Sequence, residues 1–229
     1  MSYAVLLSKV PLFAALSPEK LEGLAALLIP RQYADQEIIF HAGDVGNGLY
    51  VVRKGGVTIR LSSPGGKEVI LSLLSRGDVF GELALIDGEP RSADALARDE
   101  TQLLMLPRDA FLRHIHEQHE VMMQLLVSLS RQVRRITGLV HDAAFLDVRG
   151  RLAQTLLELA RTLGQPGPDG VVHVPRPTQR DLANMIGGVS RESINKVLRT
   201  YEQQGLLRQE RGQIVLLDLD RLRQEIDEG

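Results

Sequence analysis

The chain contains no cysteine, which excludes disulfides, thiolate zinc sites, thiol redox switches and cysteine-held iron–sulfur clusters. It has no tryptophan and only 4% aromatic residues, a poor supply for the stacking platforms that hold single-stranded nucleic acid. No apolar run approaches the ~20 residues that span a membrane, and the apolar N-terminus is interrupted by Lys9 and shows no small-residue cleavage site. A soluble, untargeted, cytoplasmic chain is the expectation. An excess of one charge is also missing, since 27 Lys and Arg face 29 Asp and Glu for a net charge of −2. That average hides an uneven distribution. From Arg176 to Arg211 seven basic residues stand against four acidic ones, whereas Gly212 to Gly229 carries an acidic excess of three.

With 229 residues, 44% of them apolar, the chain has material for two modest cores. LSPEKLEGLAALLIP opens with Ser17 as N-cap and Pro18 at the first helical position, which predicts a short amphipathic helix ending before Pro30. From Arg31 to Pro107 short β-rich runs follow, such as Leu49 to Val52, Val57 to Leu61 and Val69 to Leu73. Gly43, Gly46, Gly55, Gly56, Gly65, Gly66 and Gly77 separate them as turn residues, the punctuation of a compact barrel or jelly roll.

Beyond Phe111 the period becomes helical. Met122, Leu126, Leu129, Val133, Ile136, Val140 and Ala143 alternate in steps of four and three, a heptad seam over three repeats that fits a dimer, with Leu125 and Leu139 widening its apolar face. An amphipathic helix packed on its own β domain is the alternative. A second helix is expected from Leu146 to Leu163, then a loop QPGPDG and a short strand from Val171 to Val174; RQEIDEG reads as a frayed charged tail.

Thr178 can cap a helix burying Leu182, Ala183 and Ile186, which Gly187 and Gly188 break. Ser190 can cap the next, with Ile194, Val197, Leu198 and Tyr201 on one face and Gly205 at its end. The opposite face carries Glu192, Asn195, Lys196 and Arg199, with Arg191 at the helix start. These are the side-chain types that read a major groove: Arg and Lys donate to guanine, Asn pairs with adenine, Glu accepts from cytosine. A solvated surface face is the commoner fate of such charges, but two capped helices joined by a glycine turn make a helix-turn-helix the better reading. A hairpin through Gly212 adds a wing, placing Arg208 and Arg211 near the phosphate backbone.

FGELALIDGEPRSA, from Phe80 to Ala93, combines a glycine that permits close backbone approach, a short helix start, Arg91 suited to phosphate, Ser92 as a hydroxyl donor and Glu82 as an acceptor for a sugar hydroxyl. This pattern resembles the phosphate-binding cassette of cyclic-nucleotide domains. The glycine-punctuated β segment, the long helix, AFLDVRGRLAQTLLELA from Ala144 to Ala160 and VSRESINKVL from Val189 to Leu198 extend the resemblance over the whole chain, to the cyclic AMP receptor protein (Crp/Fnr) family of bacterial transcription regulators.

The resemblance implies an α+β chain: an N-terminal cyclic-nucleotide-binding-like β-roll (jelly roll) over 1–118, a dimerisation helix over 119–144 with its seam at Met122, Leu126, Leu129, Val133, Ile136 and Val140, and a C-terminal winged helix-turn-helix over 145–229. It places Gly81, Glu82, Leu83, Arg91, Ser92 and Ala93 around the ligand, Glu82 on the ribose hydroxyl and Arg91, Ser92 and the Ala93 backbone on the cyclic phosphate, with Thr137 offering a hydroxyl to the purine. On the DNA side it places Thr178, Gln179, Ser190, Arg191, Glu192, Asn195, Lys196 and Arg199, of which Arg191, Glu192 and Lys196 fall at base-reading positions. The implied effector is cAMP or a related cyclic nucleotide, without a metal. The implied partners are double-stranded DNA with a near-palindromic site, a second copy of the chain and RNA polymerase, with no membrane.

Three departures stand out. Ile136 replaces a second hydroxyl residue, Lys196 replaces an arginine and so offers one contact point instead of a fork, and the interval from Thr178 to Ser190 is one residue longer than usual in the family. A constitutive regulator of the same family and a cyclic-nucleotide module acting on a protein partner therefore remain as alternatives to a ligand-operated switch. Gly65 to Lys67 lacks the remaining residues of a phosphate loop and reads as a hairpin turn. His114, His116, His119 and Glu120 read as a solvent-facing helix rather than a metal site, and His41, His141 and His173 are scattered. No set of nucleophile, base and orienter is present, so no enzyme is expected.

Overall fold

A computed structural model describes residues 2–175, 177–187 and 189–227. Arg176, the second glycine of the expected Gly187-Gly188 turn, and Glu228 and Gly229 of the tail lie outside the described residues. By internal contacts the chain forms two units, Met1–Ser62 with Leu71–Arg134 and Ser63–Ile70 with Arg135–Gly229.

The first unit begins with α1 (Tyr3–Leu7), which the sequence reading did not anticipate, and α2 (Pro18–Ala26). The Ser17 hydroxyl accepts from the Lys20 amide at 3.4 Å, the expected cap. There follow β1 (Ile29–Tyr33), β2 (Ile38–Phe40), β3 (Gly48–Ser62), β4 (Glu68–Leu74), β5 (Val79–Phe80), α3 (Leu83–Ile86), β6 (Asp94–Pro107), α4 (Arg108–Glu117) and α5 (His119–Phe145). The sheet runs β1-β6-β3-β4, with β2 also on β6 and β5 on β3. Its spine is the antiparallel β3–β6 ladder, from Gly48 opposite Pro107 to Arg60 opposite Asp94.

Strand periodicity divides the core. Leu49 and Val51 of β3 and Leu104 and Leu106 of β6 pack with α1, α2, α4 and Val121 and Leu125 of α5. Their neighbours Tyr50, Val52, Leu103 and Met105 point to the other face, with Phe80 and Ala95. One expectation fails here. The runs Leu49 to Val52 and Val57 to Leu61 are not two strands parted by a turn at Gly55 and Gly56, but one strand with register shifts between Val52 and Gly56. Gly55 has φ +78°, and a Cβ there would lie 2.6 Å from the Thr101 hydroxyl. That hydroxyl donates to the Gly56 carbonyl at 2.9 Å, so the glycines form a bulge pressed against β6.

The long helix also corrects the seam. Leu125 does not widen it, because it is buried in the core of the first unit, and Leu129 packs half-buried against the same core. Met122, Leu126, Val133, Ile136 and Val140 are exposed. The packed-helix reading therefore holds for one face of α5, and the apolar residues of the expected seam lie on another face, uncovered in the single chain.

In the second unit α6 (Val148–Leu163) is followed by β7 (Gln165–Pro166), a 3-10 turn (Pro168–Gly170) and β8 (Val172–Pro175), then α7 (Gln179–Met185), α8 (Arg191–Gln203), β9 (Leu207–Glu210), β10 (Gln213–Leu216) and α9 (Leu219–Asp227). The sheet order is β7-β8-β10-β9. The tail is not frayed through Asp227 as expected: Leu222 of α9 is fully buried and Glu225 accepts from Arg149 of α6 at 2.6 Å. Charged composition masked one apolar anchor.

Candidate functional site

In the first unit the chain between β5 and β6 wraps around Arg91. Gly81 adopts φ +84°, and a Cβ there would meet Arg91 Nη1 at 2.6 Å, so glycine is needed both for the backbone turn and for the approach of the guanidinium. Arg91 is only 4% exposed. Its Nη1 donates to the Gly81 carbonyl at 2.6 Å and its Nη2 to the Gly48 carbonyl at 2.9 Å, with Asn47 Oδ1 at 3.4 Å. The guanidinium carbon lies 4.3 Å from the centre of the Phe40 ring and 5.8 Å from that of Tyr50. Phe40, Tyr50 and Phe80 form one aromatic wall, their centres 5.2 to 5.9 Å apart.

The charge of Arg91 is left incompletely compensated. Among the described residues no carboxylate pairs with it, and its buried Nε has no hydrogen-bond partner. Burial lowers its pKa, against the opposing influence of Tyr50, Glu82 and Asp44. Ring contacts of this kind return roughly 0.5–2 kcal/mol, whereas taking an ion out of water costs several kcal/mol. The carbonyls of Gly81 and Gly48 and the ring faces offset part of that cost without adding negative charge, which a bound anion would supply.

Glu82 is 8% exposed. Burial pushes its carboxyl above the ordinary range, while its own backbone N–H and Arg91 pull it down. A buried acceptor beside a buried cation suits a ligand that carries a hydroxyl and an anion on one rigid frame. Leu83 is half-buried, Ala93 is buried and Ser92 is exposed. Thr137, on α5, is exposed. Asp94, next to Ala93, anchors the segment, accepting from the Ala42 amide and the Ser62 hydroxyl, both at 2.9 Å. The aromatic wall and Asn47 were missed because Phe40, Tyr50 and Phe80 lie on three separate strands and Asn47 in the loop before β3, with nothing local to associate them with Arg91.

In the second unit Thr178 and Ser190 act as the caps their positions suggested. Thr178 Oγ1 accepts from the Asp181 amide at 3.1 Å and the Asp181 carboxylate accepts from the Thr178 amide at 3.1 Å, a complete capping box. Ser190 Oγ accepts from the Ser193 amide at 3.1 Å. Gly187 has φ +94°, and Arg151 of α6 donates to the Ile186 carbonyl at 3.0 Å, holding the end of α7. Ile194, Val197, Leu198 and Tyr201 are buried, and the Tyr201 hydroxyl donates to the Arg149 carbonyl at 2.8 Å.

The outer face of α8 is open. Arg191, Glu192, Lys196 and Arg199 are exposed, and an open hollow of about 420 Å³ runs along Glu192, Asn195, Lys196, Arg199, Thr200 and Gln203. Glu192 is held below the ordinary carboxylate range by its own backbone N–H and the Ser190 hydroxyl, which keeps it an acceptor. Asn195 differs from its neighbours: its amide faces Gln179 of α7. Thr200 and Gln203 extend the face by one further turn, a periodicity that was legible in the sequence but not taken up. On the wing Arg208 pairs with Glu210 at 2.7 Å, whereas Arg211 is exposed at the turn.

Among the described residues no group of three or more His, Asp and Glu is placed to hold a metal, and no helix is long and apolar enough to cross a membrane.

Known proteins match both halves. Residues 30–118 match the family model of the cyclic nucleotide-binding domain and residues 150–225 that of the Crp-like helix-turn-helix domain. The chain is 33% identical over 219 residues to the CRP-like cAMP-activated global transcriptional regulator of Mycobacterium tuberculosis, covering 95% of this chain and 96% of that protein. It is 32% identical over 181 residues to the cAMP-activated global transcriptional regulator CRP of Escherichia coli O157:H7, covering 77% and 83%. A solved CRP-family transcriptional regulator from Thermus thermophilus is similar at 29% identity with a TM-score of 0.71, covering 86% of this chain and 96% of that one.

Proposed function

Since the chain belongs to the Crp/Fnr family of transcription regulators, we propose that it binds a near-palindromic DNA duplex as a homodimer, with an affinity set by a cyclic nucleotide such as cAMP. The observation that carries the effector reading is Arg91, a buried guanidinium that forms no ion pair among the described residues and lies near the buried Glu82. A cyclic phosphate would supply the missing negative charge, and a ribose hydroxyl would donate to Glu82. Gly81, Leu83, Ser92 and Ala93 line the same segment, Ser92 adding a hydroxyl.

The dimer reading rests on α5. Met122, Leu126, Val133, Ile136 and Val140 recur at helical spacing and remain exposed after the chain has folded. Covering each returns on the order of 1–3 kcal/mol. In such a dimer the two copies of α8 would enter successive major grooves about 34 Å apart. Arg191, Glu192, Lys196 and Arg199 would then read base edges, and the Thr178 and Ser190 segments, with Arg211, would lie along phosphates. The ligand acts by linkage: it raises DNA affinity only to the extent that it binds the DNA-competent state better than the other.

The test is calorimetric titration of nucleotide-stripped protein with cAMP and cGMP, with Arg91→Ala as control, followed by selection of duplexes with and without the bound nucleotide. Saturable binding that is lost in Arg91→Ala is the expected result. Binding that survives the substitution would remove Arg91 from the site, and no binding of either nucleotide would leave a regulator without cyclic-nucleotide control.

A further inference from the structure

Asn195 lies on the exposed face of α8, yet both halves of its amide are already engaged. Its Nδ2 donates to Gln179 Oε1 at 3.0 Å, and Gln179 Nε2 donates back to Asn195 Oδ1. Both residues are half-buried, one at the first position of α7 and the other in the second turn of α8. The capping box at Thr178 and Asp181 fixes the backbone that carries Gln179, and Arg151 holds the far end of the same helix at the Ile186 carbonyl. The pair is therefore presented by two helices whose ends are tied down.

Reciprocal pairing of two primary amides uses one edge of each: the oxygen and the N–H beside it. An asparagine that reads adenine bidentately, accepting from N6 and donating to N7, uses that same edge. It cannot do both. Each paired amide keeps one N–H and one oxygen lone pair, which point away from each other and cannot together match a single base edge. On the proposed DNA-binding reading, on which this inference rests, we infer that Gln179 is a positioning residue that withholds Asn195 from adenine. The pair limits Asn195 to a single hydrogen bond and leaves base discrimination to Arg191, Glu192, Lys196 and Arg199.

The experiment uses the full chain on its selected duplex and on a set in which each base pair of the half-site is replaced symmetrically, read by fluorescence anisotropy with saturating cAMP present. Gln179→Met keeps the side-chain length but has no amide, so it frees the Asn195 edge. It should create a preference for adenine of about fivefold or more at one position of the half-site where the wild-type chain discriminates weakly, the lower end of what a bidentate contact supplies. Adding Asn195→Ala to Gln179→Met should erase the new preference. Gln179→Glu keeps the acceptor for Asn195 Nδ2, so it should produce no such preference whatever it does to overall affinity. A general loosening of the helix pair would lower affinity without creating a preference. If Gln179→Met only weakens binding uniformly across sequences, Gln179 either touches phosphate or braces the helix pair, and the inference falls. A wild-type adenine preference that Asn195→Ala abolishes would also overturn it, because the pair would then open on DNA. Absence of any sequence-dependent binding by the wild-type chain would instead defeat the DNA-binding reading itself, and this inference with it.

Discussion

Gly81→Ala isolates the feature that sets the sensor apart from an ordinary β-roll, the close approach of a glycine backbone to a buried guanidinium. Two penalties add at this position. An alanine at φ +84° is strained by roughly 1–2 kcal/mol, and its Cβ would lie 2.6 Å from Arg91 Nη1, well inside the contact distance of about 3.5 Å. The guanidinium must then leave the Gly81 carbonyl, a hydrogen bond of 2.6 Å from a charged donor, and such bonds contribute about 1.5–3 kcal/mol. Strain alone should lower the melting temperature by roughly 2–4 °C per kcal/mol in a chain of this size. Displacing Arg91, the group proposed to hold the cyclic phosphate, should weaken cAMP about ten- to a hundredfold, the equivalent of one charged hydrogen bond. Gly77→Ala is the matched control: Gly77 has φ +94° but nothing within 4 Å of the added Cβ. It should melt lower and bind cAMP like the wild type. The assays are thermal denaturation and calorimetric titration on the same samples. If Gly81→Ala binds cAMP as tightly as Gly77→Ala, the approach of Gly81 to Arg91 does not shape the site.

Three further outcomes are expected. Burial raises the Glu82 carboxyl above its ordinary value of 4.5, so the ligand-free chain holds that proton more tightly than the unfolded chain does, and loses stability as pH climbs from 4.5 through the raised value. A hydroxyl donated by the ligand favours the ionised form, so cAMP binding should release a proton in that window and weaken as pH falls through it; calorimetry in buffers of different ionisation heat measures the release, and a release unchanged in Glu82→Gln would refute the assignment. Arg191→Ala should relax sequence preference at the base pair it reads, by about 1–3 kcal/mol, while leaving cAMP affinity intact, as read by anisotropy and calorimetry, since the exposed Arg191 side chain starts α8 and belongs to the other unit. Val133→Asp should shift the chain from dimer to monomer in sedimentation at micromolar concentration without lowering the melting temperature of the monomer, because Val133 is 64% exposed in the single chain; a dimer that persists would place the interface elsewhere.

Much of this architecture was legible because its signals are local. Ser17, Thr178 and Ser190 cap the helices that follow them, Gly205 and Gly212 take the positive φ values their positions suggested, and the apolar period of α8 reports its buried face. The failures share a cause in partners distant along the chain. Glycine at positive φ serves a turn or a bulge equally well, and only Thr101 on β6 decides that Gly55 belongs to a bulge. The apolar excess on α5 could not be apportioned until α1, α2 and β3 were seen to claim Val121, Leu125 and part of Leu129. The tail read as frayed because RQEIDEG is mostly charged and polar, while its anchors lie outside it: Leu222 just before it, and Arg149, the partner of Glu225, far upstream. Between β5 and β6, Gly81, Glu82 and Arg91 were visible as types, but the burial of Arg91, its partnerless Nε and the ring of Phe40 beneath it belong to the folded chain. On α8 the sequence offered Asn195 as a free adenine reader, and nothing local announced that Gln179 holds its edge.

Under the proposed function, cyclic-nucleotide occupancy and DNA affinity are linked in one chain. The most direct measurement is the dissociation constant of nucleotide-stripped protein for its selected near-palindromic duplex, at fixed salt, without nucleotide and with saturating cAMP, in the wild type and in Arg91→Ala. The expected result is a tightening of about fivefold or more with cAMP in the wild type, a typical coupling between linked sites, and none in Arg91→Ala. Equal affinity with and without cAMP in the wild type would contradict the claim and identify a constitutive regulator.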